Sequence, residues 1–345
     1  MLGAPTREHR RVQPVLAPVD PWRLEILLVS GGSRSSTERA SISRDVERGL
    51  LLRLRPGAYV ERTGYGCLSP EQQHVVHLRA AAATSDAPLL VSHWSAAIAH
   101  GLPVLRSRLG AVHVTVPEDD DRHRTGLVTH HFLVEDAEVV RIGDLVVTSI
   151  GRTVLDLAGG SPFEEGVMAA DAALLAGVPR EVLEASVELA GARRASRRIG
   201  EVVAFADPGA ESAAESRLRV SLMRLGVEVP ELQRPVVLRS GRRVHLDAWL
   251  RTADVGIEVD GEQKYLDAAM APAGAGRAVI EEKRREDEVR LGVRALVRVG
   301  WVQTGNLAAL RAVLAPVGVR ATRPRTTLAA YCERARRSRP RRPFR

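Results

Sequence analysis

The sequence predicts an α/β (α+β) protein built from two or three domains, and three features predict it. First, 345 residues exceed the roughly 250–300 that one hydrophobic core usually supports. Second, a hydrophobic share of 45% is that of an ordinary globular protein and excludes a largely disordered chain. Third, segments of helical periodicity alternate with short β-branched runs bounded by Gly, Pro and Asp. No apolar run approaches the ~20 residues of a membrane span. Near the start the longest is Ile26-Leu27-Leu28-Val29, and the first 20 residues hold no hydrophobic segment of signal-peptide length. Cys67 and Cys332 lie far apart, which suggests neither a disulfide framework nor a zinc-binding pair. A soluble, cytoplasmic protein without a membrane partner or an organic cofactor is expected.

From the start, residues 1–20 are rich in Pro and Arg without periodicity and read as disordered. Residues 21–65 read as two helices and a hairpin. Trp22 to Ser30 suits a helix ended by Gly31-Gly32, and Ser41 to Arg48 a second one, capped by Ser41 or Ser43 and stopped by Gly49. Leu50 to Leu54 and Ala58 to Glu61, joined by Arg55-Pro56-Gly57, form the hairpin. Helices followed by a basic hairpin make a winged helix-turn-helix, with Arg39, Ser43 and Arg44 placed to meet DNA and Arg53 and Arg55 on the wing. A small α+β element with a purely structural role has the same pattern.

Residues 68–206 form a mixed middle domain. Helices are expected at Gln72 to Ala83, Ser92 to His100, Arg152 to Leu157 and Phe163 to Leu175, and strands at Val112 to Val116 and Leu145 to Ser149. His93, His100, His113, His130 and His131 fall here, but their spacings match no metal-ligand pattern. Asp207-Pro208-Gly209 marks the start of the last domain, residues 211–325.

The chemistry concentrates in Arg243 to Asp260. Strands Val244 to Leu250 and Val255 to Asp260 flank the turn Arg251 to Asp254, so cross-strand partners have numbers summing to 505. That register sets Asp247 opposite Glu258 and His245 opposite Asp260. Strict alternation puts Val244, Leu246, Ala248 and Leu250 on one face, with His245, Asp247 and Trp249 on the other. Opposed carboxylates ~5 Å apart repel each other, and a divalent cation between them turns that repulsion into a binding site. Glu215 lies at the edge of the apolar stripe of a helix from Glu211 to Leu225, an awkward place for a carboxylate without a cationic partner. Of fifty basic residues only Lys264 and Lys283 are lysines, and Lys264 follows Glu258 by six. A charged helix from Val279 to Leu291 and a buried strand from Ala295 to Val299 complete the domain. A metal-dependent phosphodiesterase uses such parts: a metal acidifies its bound water, and a lysine orients that water or steadies the phosphorane.

Residues 211–303, through Asp247, Gly256-Ile257-Glu258-Val259-Asp260-Gly261, Lys264-Tyr265, Glu282-Lys283-Arg284-Arg285-Glu286-Asp287 and Arg298-Val299-Gly300-Trp301, resemble the Vsr-like (very-short-patch-repair-like) endonuclease domain of the PD-(D/E)XK nuclease superfamily. Gly49 to Val60 resembles the winged-helix part of AbiEi-family type IV antitoxins. Ser92 to Ala97, His100 to Pro103 and Thr148 to Ala158 extend that similarity through the middle region. The resemblances imply a restriction-endonuclease-like three-layer α/β domain at the C-terminus and an Mg²⁺- or Mn²⁺-dependent DNA endonuclease. Glu215, Asp247, Glu258 and Lys264 would be catalytic, and Asp247, Glu258 and Asp260 metal ligands. The superfamily's lysine lies two residues after the glutamate, where this chain has Asp260. That departure keeps a second function open: a non-enzymatic DNA-binding regulator or antitoxin, with a cognate toxin as partner.

The charge pattern agrees with a DNA partner only in part. Net charge is +8, but the last twelve residues carry seven arginines and no acid, so residues 1–333 stand at +1. The tail, residues 326–345, reads either as a flexible cationic arm for phosphates or as a solubilising end.

Overall fold

A computed structural model describes residues 19–29, 36–120, 124–190, 196–239, 241–260, 288, 292–320, 328 and 332–333. The protein is α/β, and its chain divides into two compact units, residues 1–88 and 89–345.

In the first unit, strand β1 (Ile26–Leu28) precedes helix α1 (Ser36–Glu47), the hairpin β2 (Leu51–Arg55) and β3 (Ala58–Glu61), and helices α2 (Arg62–Gly66) and α3 (Pro70–Ala83). The strands form a sheet in the order β1-β3-β2. The helix expected at Trp22 to Ser30 is instead a turn followed by β1. Its three apolar residues pair with Val60, Tyr59 and Ala58, and sheet pairing outweighs a weak local helical pattern. Arg79 of α3 fastens the turn by donating to the carbonyls of Pro21 at 2.9 Å and Leu24 at 2.8 Å. Helix α1 begins five residues before the expected cap at Ser41 and gives way to Gly49, whose φ of +73° suits a chain reversal. Ser69 caps α3 in a reciprocal box with Gln72, and Val76 joins Val60 and Leu68 in this unit's core. The division between units therefore follows α3 rather than falling near residue 66.

Among the described residues the second unit holds two sheets. The first contains β4 (Leu90–Val91), β5 (Val112–Val116), β6 (Leu127–His131), β7 (Val139–Ile142) and β8 (Leu145–Thr148), in the order β6-β5-β4-β8-β7. Helix α4 (His93–Ala99) follows β4. After β8 come α5 (Ile150–Gly160), α6 (Phe163–Leu175), α7 (Arg180–Ala190) and α8 (Ser196–Phe205), around a core of Leu155, Val167, Leu183, Val202 and Phe205.

Helix α9 (Ala213–Arg224) then leads into β9 (Glu231–Val237), β10 (Arg243–Leu250), β11 (Val255–Asp260) and β12 (Ala295–Gly300), followed by α10 (Trp301–Gly305) and α11 (Leu307–Leu314). The sheet runs β12-β11-β10-β9; β9, β10 and β11 form an antiparallel meander, and β12 lies parallel to β11. Leu218 and Leu222 of α9 pack on Ala248, Leu250, Val255, Ile257 and Val259. Residues 207–212 do break the helical run, yet this stretch does not separate two compact units. Asp171 of α6 and Arg219 of α9, both fully buried, meet at 2.7 Å across it.

Candidate functional site

In the first unit, α1 displays Arg39, Ser43 and Arg44 as exposed residues, and Arg53 is exposed on β2. Arg55 ends β2 at the hairpin turn. It is half-buried, and burial lowers its pKa; burial, and after it the Arg55 charge, holds His77 of α3 below the usual imidazole range. Among the described residues only α1 precedes the hairpin, because the segment expected to supply the first helix of the helix-turn-helix became β1.

The acidic hairpin keeps its expected register. Ala248 pairs with Ile257, Trp249 with Gly256 and Leu250 with Val255, so the sum of 505 holds. The strict alternation does not hold. Val244 and Leu246 share a buried cluster with Trp249, while Ala248 and Leu250 belong to the cluster beneath α9. The strand changes face next to Asp247, where the ladder with β11 stops. There the Asp247 Oδ2 accepts a hydrogen bond from the Val259 amide at 2.7 Å. The carboxylate replaces a main-chain rung and lies at the fork between β10 and β11. On the other side of β10 the ladder with β9 skips Asp247 as well, opposite Gln233. Gln233 has a left-handed backbone with φ of +50°, a costly conformation for a residue with a side chain.

Glu215, 7% exposed, stands in the first turn of α9. Its carboxylate accepts from the Glu211 amide at 2.9 Å, the Ser212 hydroxyl at 2.7 Å and the Gln233 side chain at 3.2 Å. The cation expected as its partner is replaced by these dipoles. Burial pushes its pKa up to about 7; the Glu211 amide and Ser212 hydroxyl oppose that rise, and the charges of Asp247 and Glu211 add to it. Glu215 and Asp247 thus form one acidic pair.

Glu258 belongs to a second group. It pairs in register with Arg298 of β12, whose guanidinium reaches the Glu258 carboxylate at 3.2 Å and Asp260 at 4.0 Å. Arg298, on the neighbouring strand, brings a positive charge to both acids. Its distance of about forty residues from Glu258 left no local signal.

A hard divalent cation requires several carboxylate oxygens converging on one point. Among the described residues, no three or more His, Cys, Asp or Glu side chains form such a group. Of the three acids read as metal ligands, Glu258 and Asp260 each approach Arg298, and Asp247 accepts from the Val259 amide. Lys264 and the acidic run from Glu282 to Asp287 lie outside the described residues, as does the arginine-rich stretch 334–345.

Sequence spacing also missed a cluster in the middle region. The rings of His93 and His130 stack at 3.5 Å, and His130 Nε2 lies 2.9 Å from His113 Nδ1. His93 begins α4 with φ of +52°, touches Ser92 Oγ at 3.0 Å and lies 3.8 Å from Asp156. Asp156 and Glu138 in turn hold the buried Arg152 at 2.7 and 2.9 Å. Burial, together with His130, His113 and Arg152, drives the His93 pKa down to about 2. The three imidazoles are brought together by β5, β6 and the turn into α4, which no linear spacing reveals. They stack rather than converge.

No family model matches the chain. Two uncharacterized proteins of Mycobacterium tuberculosis, one from each of two strains, are each 30% identical to it over 141 residues. The match covers 40% of this chain, and the chain spans about half the length of these curated relatives. No helix among the described residues is long and apolar enough to cross a membrane.

Proposed function

We propose that this chain is a DNA-binding protein whose second unit carries a nuclease-like site for phosphodiester hydrolysis. One observation carries the reading. A helix bearing Glu215, a three-stranded meander bearing Asp247 and Glu258, and a fourth strand parallel to the third follow one another in chain order. The order expected from the sequence is helix, acidic hairpin, helix, strand; the first helix, the hairpin and the last strand are present, and the second helix, Val279 to Leu291, lies outside the described residues except for residue 288. Asp247 lies at a fork between strands, where the ladder between β10 and β11 ends.

The side chains would divide the work. Glu215, half-ionised near neutrality, can take a proton from water or return one to a leaving oxygen. Arg298 can steady phosphate charge while it holds Glu258 and Asp260. In the first unit, Arg39, Arg44 and Arg53 are exposed cations that can face DNA phosphates.

The pairing of Arg298 with Glu258 and Asp260 favours the second reading, a DNA-binding regulator whose nuclease-like acids are compensated internally. Cleavage of supercoiled, linear and mismatched DNA in Mg²⁺, Mn²⁺ or EDTA, beside Glu258→Gln, separates the two. Metal-dependent nicking that disappears in the variant supports the nuclease. Intact DNA in every metal, with binding retained, supports the regulator.

A further inference from the structure

The outer half of the β9–β10 hairpin has no place in the readings above. Val237 pairs with Arg243, Val236 with Val244, Pro235 with His245 and Arg234 with Leu246. A tight turn closes the ribbon: the Leu238 amide donates to the Arg242 carbonyl and the Gly241 amide to the Leu238 carbonyl, each at 2.9 Å, with Gly241 at φ +81°. One face is anchored, since Leu238, Val244 and Leu246 are buried with Val293 and Trp249. The other face is exposed and bears Pro235, Val237, Arg243 and His245, with Arg239 and Arg242 exposed in the turn. Val237 is 64% exposed among these cations. Residues 234–246 contain four arginines and no acid. Among the described residues, Glu288 accepts from the Arg239 amide at 2.8 Å and Glu231 pairs with Arg234 at 3.7 Å.

A two-stranded ribbon, cationic and apolar on its open face, matches what the major groove of duplex DNA admits. We propose that the β9–β10 ribbon enters that groove, with Arg239, Arg242 and Arg243 on the flanking phosphates and Val237 against base edges. The inference rests on the DNA reading above and gives the second unit its own hold on the duplex. The acids lie at a suitable distance. Arg243, His245 and Asp247 alternate along one strand, so Arg243 and Asp247 are ~13 Å apart at ~3.3 Å per residue. The major groove is ~12 Å wide, so a ribbon lying in it brings a bordering backbone to Asp247 and Glu215.

The test is salt-dependent binding of the full chain to a short labelled duplex and to the corresponding single strand, for the wild type and an Arg239→Ala/Arg242→Ala/Arg243→Ala variant. Removing one arginine from a phosphate lowers the slope of log affinity against log salt by ~0.9, so the variant's slope on duplex should fall by about 2–3. An Arg39→Ala/Arg44→Ala/Arg53→Ala variant, which leaves the ribbon intact, reports on the first unit separately. Wild-type binding with an unchanged slope in the ribbon variant overturns the ribbon proposal alone. Equal slope reductions on duplex and single strand overturn the groove placement. No duplex binding by the wild type overturns the DNA reading and the ribbon with it.

Discussion

The Asp247 carboxylate lies 2.7 Å from the Val259 amide and occupies the place of the next rung between β10 and β11. An acid used as a substitute backbone acceptor sits where the sheet opens, and its charge acts on Glu215 across the fork. Replacing Asp247 with Asn keeps an acceptor oxygen but removes that charge. The Glu215 pKa should move down from about 7, as followed by carboxyl carbon NMR through a pH titration. A pKa unmoved by the substitution would show that Asp247 does not act on Glu215.

Glu215 should also make stability depend on pH. Its folded pKa is raised, so its contribution is fully present below the unfolded value of 4.5 and is lost as pH rises through 7. The difference corresponds to about 3 kcal/mol. Glu215→Gln should abolish that loss and leave the variant relatively more stable at pH 8 than at pH 5, measured by urea denaturation. Equal pH dependence in the two proteins would contradict the buried-acid assignment.

His93 works in the opposite sense. Its folded pKa is depressed, so its contribution is present above the unfolded value of 6.5 and is lost as pH falls towards 2. From pH 6.5 to 5 this amounts to about 2 kcal/mol. Asn tolerates the left-handed backbone at this position and carries no titrating ring. His93→Asn should therefore lose less stability than the wild type over that interval. Because Glu215 and His93 oppose each other there, each effect is read as a difference between wild type and its own variant.

The Asp171–Arg219 pair joins α6 to α9, with Asp171 also accepting from the Asp207 amide at 2.6 Å and the Ser216 hydroxyl at 2.8 Å. Asp171→Ala leaves the Arg219 charge buried without its acid, which typically costs ~3–5 kcal/mol. The urea midpoint should fall accordingly. A destabilisation below ~1 kcal/mol would mean that this pair is not what holds the two helices together.

Gly166 marks the contact of α6 with α5. A Cβ there would stand 2.9 Å from the Ala158 Cα and 3.2 Å from a Val202 methyl. Gly166→Ala gains ~0.5–1 kcal/mol of helix preference but overpacks backbone against backbone, at ~1–3 kcal/mol. Net destabilisation is expected in thermal melting, and a stabilised variant would show that the helices separate freely.

The sequence by itself determined the elements whose signals are local. Gly57 and Gly49 mark the hairpin and the end of α1, and the four-residue turn Arg251 to Asp254 sets the register that pairs Ala248 with Ile257. Such features depend on neighbours a few residues away, where backbone preference and turn geometry decide. Tertiary structure alone decided β1, which three apolar residues form only because β3 offers them a partner. It also decided the face change next to Asp247, the strained Gln233 opposite it and the stacked histidines, all of which depend on what packs from other elements. The fate of the acids was settled in the same way. Register could align Asp247 with Glu258, but only the parallel pairing of β12 placed Arg298 against Glu258 and Asp260. Local spacing records which side chains a strand carries; the charges they meet come from strands distant in sequence.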